Sequence, residues 1–159
     1  MALSTENPNL VWQKAFVSLQ ALGAKPAIAE QLRKLKERLA TVGGNPNLAF
    51  VTISDLTADV VGVDAPCKLF AVFLKKQATG TDAFYNVFDD ATNDATAGDA
   101  RISIGLVTAS EQSLFTHPTG FDLAAGFVHG SYTALIGSNG STPSTTGDGP
   151  NGFAIVGAP

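Results

Sequence analysis

The stretch Cys67-Lys-Leu-Phe-Ala-Val-Phe-Leu-Lys-Lys-Gln77 decides the fold. Apolar residues fill both phases of a two-residue period, with Leu69, Ala71 and Phe73 on one face and Phe70, Val72 and Leu74 on the other. A strand backed by solvent alternates apolar with polar, so a run dry on both faces reads as a central strand. The turn-forming Ala78-Thr-Gly-Thr-Asp82 closes it.

Outward from that stretch, short β-branched or aromatic segments recur at 48–54, 57–63, 83–88, 101–107, 112–116, 121–128, 131–136 and 152–157. Turn signals such as Ala97-Gly-Asp99 separate them. Repeated short strands at this spacing predict a mainly β chain with an antiparallel β-sandwich or jelly-roll-like body, not a βαβ sheet. The polar run at 137–151 (GSNGSTPSTTGDGPN) reads as an exposed, functional or mobile loop before the last strand.

Upstream the period becomes helical. Asn7-Pro8 supplies a cap and a first helical residue whose missing N–H costs nothing. Trp12, Ala15, Phe16, Leu19 and Leu22 follow at helical spacing, and Gly23 provides a stop. A second helix starts at Pro26, with Ile28, Leu32, Leu35 and Leu39 as a one-sided apolar stripe and charged residues around it. The stripe is too short for a stable isolated coiled coil, so it must pack on the first helix, the β body or a neighbouring subunit. The run Thr41-Val-Gly-Gly-Asn-Pro-Asn47 reads as a linker, dividing the chain into an N-terminal helical arm, 1–47, and a sandwich body, 48–159.

Charge follows the same division. The 159-residue chain carries a net −4, but the arm holds six basic against three acidic residues and the body four against eleven. Such asymmetry points the arm at an acidic surface: nucleic acid, a protein partner, or the body of a neighbouring copy. Trp12, Phe16, Ile28, Leu32, Arg33, Lys34, Leu35, Lys36, Arg38 and Leu39 are accordingly the candidate partner-binding residues. Nucleic acid is disfavoured, because the body is acidic and the arm's clustered cations carry no recognition motif.

The residues that carry chemistry are sparse. Cys67, the single cysteine, allows no intramolecular disulfide and is expected to be buried. His117 and His129 are expected on surface turns, and neither stands in a metal-ligand spacing. The acidic run Asp89, Asp90, Asp94, Asp99 departs from a calcium loop, with Ala95 where glycine is required and Arg101 where a bidentate Glu belongs. Nucleophile-elbow and phosphate-loop motifs are absent. The expectation is therefore a non-enzyme without cofactor, metal or small-molecule substrate. The polar N-terminus and the lack of a long apolar run predict a soluble chain with neither export signal nor membrane span.

Four runs bear a resemblance: CKLFAVFLKKQATGTDAFYNVFDDAT (67–92), RISIGLV (101–107), FTHPTGFDLAAGF (115–127) and DGPNGFAIVG (148–157). Together they resemble small virion proteins of tailed bacteriophages, with His117 standing where an apolar residue would precede the proline. The resemblance implies a capsid decoration (cement) protein, made in the host cytoplasm and carried on the capsid surface. Its partners would be the major capsid protein and copies of itself, as dimer or trimer, and no catalytic residue is carried over. A tail, neck or fibre component is the neighbouring alternative. A carbohydrate- or receptor-binding β module, using the 137–151 loop, is the alternative of a different class.

Overall fold

The first helix, α1 (Pro8–Ala21), starts as its spacing predicts: Asn7 Oδ1 accepts the Asn9 N–H at 2.9 Å, and Pro8 occupies the first turn. Gly23, at φ +66°, turns the chain into α2 (Pro26–Thr41). The structure, a computed structural model, describes residues 6–41, 47–92, 99–133 and 142–159. The greater part of the 41–47 linker therefore lies outside the described residues, as do Asp94 and residues 134–141.

Eight strands follow: β1 (Leu48–Ile53), β2 (Val60–Val63), β3 (Cys67–Lys75), β4 (Ala83–Asp89), β5 (Ala100–Leu106), β6 (Gln112–Leu123), β7 (Phe127–Tyr132) and β8 (Asn151–Gly157). They form two antiparallel four-stranded sheets, ordered β1-β8-β3-β6 and β2-β7-β4-β5. The chain crosses repeatedly between the sheets, giving the strand order of an eight-stranded jelly roll. β3 is internal, flanked by β8 and β6, as its doubly apolar sequence requires.

The faces of β3 differ from simple alternation. Leu69, Val72 and Leu74 point into the sandwich, whereas Phe70, Ala71 and Phe73 lie on the other side. The register slips between Leu69 and Ala71 in the pairings with both neighbours, and a slip of this kind resets which side later residues take. Opposite it, four residues of β6, His117 to Gly120, face the single Phe70. The turn-like Pro118-Thr-Gly120 is thus a bulge inside one twelve-residue strand, not a break between strands at 112–116 and 121–128. Gly120 takes φ +82° there, and a Cβ would sit 2.6 Å from the Lys68 Cβ.

The sandwich core is built on Leu69, Val72, Leu74, Tyr85, Val87, Phe127 and Val156. A second core lies on the opposite face of β1-β8-β3-β6, where Val11, Trp12, Ala15, Leu19, Leu32, Leu35 and Leu39 pack on Leu48, Phe70, Phe73, Phe153 and Ile155. The helical arm is therefore laid back as a third layer, α1 over β1 and β8, α2 over β6. Polar ties fix its turn. Lys75 Nζ donates to the Leu22 carbonyl at 2.7 Å. The Gln112 side chain donates to the Gly23 carbonyl at 2.9 Å and accepts the Lys25 N–H at 2.8 Å.

Residues 142–150 of the polar loop are also held. Asp55, at φ +46°, accepts from the N–H groups of Gly147 and Gly149 and from Gln77, while its own N–H donates to Asn151 Oδ1. Ser144 is buried against Ser131, hydroxyl to hydroxyl at 2.8 Å. The rest of the loop, 137–141, is outside the described residues. No helix among the described residues is long and apolar enough to cross a membrane.

Candidate docking groove

α2 has an inward and an outward side, and the boundary between them creates the site. Leu32, Leu35 and Leu39 are buried on the sheet, as is Trp12 of α1. Phe16 and Ile28 are half-buried at the margin of the same cluster. Of these six candidate partner contacts, the chain's own sheet buries Trp12, Leu32, Leu35 and Leu39, and Leu35 also borders the groove described next. Of the cations, Arg33 is engaged within the helix. It bonds Glu30 and Glu37, which raises its own pKa further and, through the hydrogen bond from Arg33, lowers that of Glu30. Lys36 is half-buried. Lys34 and Arg38 are exposed and make no ion pair among the described residues.

Those two cations border a groove of about 580 Å³ between α2 and β6. From α2 come Gln31, Lys34, Leu35 and Arg38, spaced i, i+3, i+4 and i+7, hence on one face. From β6 come Leu114, Phe115, Thr116 and Pro118. The volume falls within the roughly 300–1,000 Å³ of a typical binding cleft. β6 is the last strand of its sheet, so one side of its backbone is not used in the ladder with β3. Apolar floor, cationic rim and an edge backbone meet at this groove.

Sequence reasoning marked Lys34, Leu35 and Arg38 but missed the opposite wall. The β-propensity of 112–116 located that strand, yet nothing in its local pattern placed it beside α2. Trp12, Leu32 and Leu39 are brought together with the groove residues only through the dry layer beneath.

Other titratable groups lie outside the groove lining. His129 is buried within β7, not on a turn, and shares a 3.1 Å hydrogen bond with the Tyr85 hydroxyl. Burial lowers its pKa to about 4 and raises that of Tyr85. The strand runs through His129-Gly130, where a Cβ on Gly130 would stand 2.4 Å from Asp59 Oδ1. His117 is half-buried in the β6 bulge, edge-on to Phe121. Cys67 is buried as expected, its thiol pushed up to about 11 by burial and by the nearby Asp89. Asp59 accepts the Tyr132 hydroxyl, and burial, then the charge of Asp90, raises it to about 6. No three His, Cys, Asp or Glu side chains among the described residues are grouped to hold a metal ion.

Compared with known protein families, curated proteins and solved structures, the chain matches none of them.

Proposed function

We propose that this chain is a non-enzymatic structural virion protein that seats on the outer capsid lattice of a tailed phage and reinforces it. The observation that carries the reading is the α2–β6 groove, an attachment surface with a cationic rim on an otherwise acidic three-layer block. Two further lines support it. The segments 67–92 and 114–157 resemble small phage virion proteins, and by fold-level analogy the eight-stranded jelly roll recurs in viral capsid domains. Lectins use jelly rolls too, and the groove distinguishes the readings, since two cations at its rim suit an acidic protein segment better than a neutral sugar.

The test is reconstitution. Purified chain is added to capsids lacking it, and bound copies are counted after sedimentation. Saturable binding at a fixed ratio to the major capsid protein is expected, with a raised temperature of capsid disruption. Binding that never saturates, or bound chain that leaves the disruption temperature unmoved, would refute the role. Light scattering on the free chain should give a dimer or trimer.

A further inference from the structure

We infer that the α2–β6 groove takes an extended acidic peptide segment, which adds as a strand to the free edge of β6 at Gln112–Thr116 while its carboxylates meet Lys34 and Arg38. This deepens the docking reading above by naming the partner's chemistry.

Three independent features converge. The first is main-chain geometry. Gln112 to Thr116 run in unbroken register with Lys75 to Ala71 on one side, leaving the alternate backbone groups facing away from the sheet. An added strand would use them, as edge-binding peptides do. The second feature sets its length. At His117–Gly120 the bulge swings the β6 backbone out of register, and Pro118 has no N–H to offer. The pairing segment is therefore about five residues, or about 17 Å of extended chain.

The third feature sets the sign of the occupant's charge. Lys34 and Arg38 lie one turn apart on the groove's helical wall, whereas Arg33 of the same helix is already bound to Glu30 and Glu37. Leu35, Leu114 and Phe115 form the wall below them. A strand alternating acidic and apolar residues satisfies both layers, with acidic side chains at the rim and apolar ones against the floor. A nucleic acid fits poorly, because two cations neutralise few phosphates.

The experiment uses the full chain, isotope-labelled, titrated with a short peptide of alternating Glu and Val. The Lys/Val counterpart and an oligo-dT strand are run in parallel. The acidic peptide is expected to shift the amides of 112–116 and of Lys34 and Arg38, and the double variant Lys34→Glu/Arg38→Glu to weaken it by about tenfold or more. The same variant should now accept the Lys/Val peptide. Both positions are exposed, so a thermal melt like that of the wild type confirms that the variant remains folded. Shifts located elsewhere, no shifts, or equal binding of oligo-dT would overturn the inference. Applying the variant to capsids separates the two readings. Peptide binding in the groove with undiminished capsid occupancy by the variant would sink the particle role of the groove. Capsid binding by a chain that ignores the acidic peptide would sink the peptide inference and leave the particle role standing.

Discussion

The two sheets solve the same packing problem with different materials. The β1-β8-β3-β6 sheet is dry on both faces, with the sandwich core beneath and the helices above, and its outer face is held by Phe70, Phe73, Phe153 and Ile155. The β2-β7-β4-β5 sheet carries the buried polar side chains Asn86, His129 and Ser131. Each is paired: Asn86 with Ser103 across β4 and β5, His129 with Tyr85, Ser131 with Ser144. The buried side chains on the strands of the first sheet are apolar and depend on area. The second depends also on hydrogen bonds that must all be made together.

The largest way to break that contrast is to remove the helices. Deleting residues 1–47 strips the cover from Phe70, Phe73, Phe153 and Ile155, which lie in one cluster with α1 and α2. The expected outcome is loss of cooperative folding or aggregation, read by circular dichroism and light scattering. A body that melted cooperatively without its helices would show that the third layer is an accessory. For the same reason, charge reversal at Lys34 and Arg38, which leaves the helices in place, tests docking better than truncation does.

Next in size is a pair of single substitutions. Phe153 is fully buried, with ring centroids 5.2 Å from Phe50 and 5.8 Å from Phe73. Phe153→Ala should cost about 3–5 kcal/mol in chemical denaturation. Phe84, half-buried on the second sheet, should cost about 1–2 kcal/mol as Phe84→Ala. Equal losses at the two positions would mean that the sheets are not differently supported.

Acid should find the second sheet first. Burial holds His129 at about 4 against an ordinary 6.5. The unfolded chain therefore gains a proton in that window which the folded chain refuses. The contribution is fully present above 6.5 and falls as pH drops, by about 2 kcal/mol at pH 5 and about 3 kcal/mol in all. Asp59, raised to about 6, acts oppositely: the folded chain holds its proton more tightly, a contribution gained as pH falls through 6 toward 3.8. Much of Asp59 reaches solvent, so its share is the smaller. Melts of Tyr85→Phe/His129→Leu between pH 7 and 5 should lose the acid limb while staying near wild type at pH 7, since both partners are removed together. A limb of unchanged steepness would place the acid sensitivity elsewhere.

This contrast also explains what the amino-acid order reveals. Apolar period is local, so the doubly apolar 67–75 strand and the 28/32/35/39 stripe could be read directly, and both took the expected forms. The phase of β3 could not, because a register slip is a relation between strands. His129 next to Gly130 resembled a turn because the glycine's close neighbour, the carboxylate of Asp59, lies 71 positions away in the chain. The polar 142–150 stretch resembled a free loop because its clasp, Asp55, sits more than ninety residues upstream. The groove was half legible: its cations announced themselves in α2, while Leu114–Pro118 became a wall only when β6 came to lie under that helix.

The smallest expected effect comes from the one place where the dry layer holds an unpartnered polar atom. Trp12 is 2% exposed, and its Nε1 meets no hydrogen-bond partner, alone in this respect among buried side-chain nitrogens and oxygens of the described residues. An unpaired buried donor costs about 1–3 kcal/mol, and the volume lost on shrinking indole to phenyl costs a similar amount in the opposite direction. Trp12→Phe should therefore change stability by less than about 1 kcal/mol, whereas Trp12→Ala should lose about 3–5 kcal/mol. The pair isolates the donor from the ring. If Trp12→Phe were as damaging as Trp12→Ala, the indole N–H would be contributing to the helix layer, and that layer would depend on polar pairing much as the second sheet does.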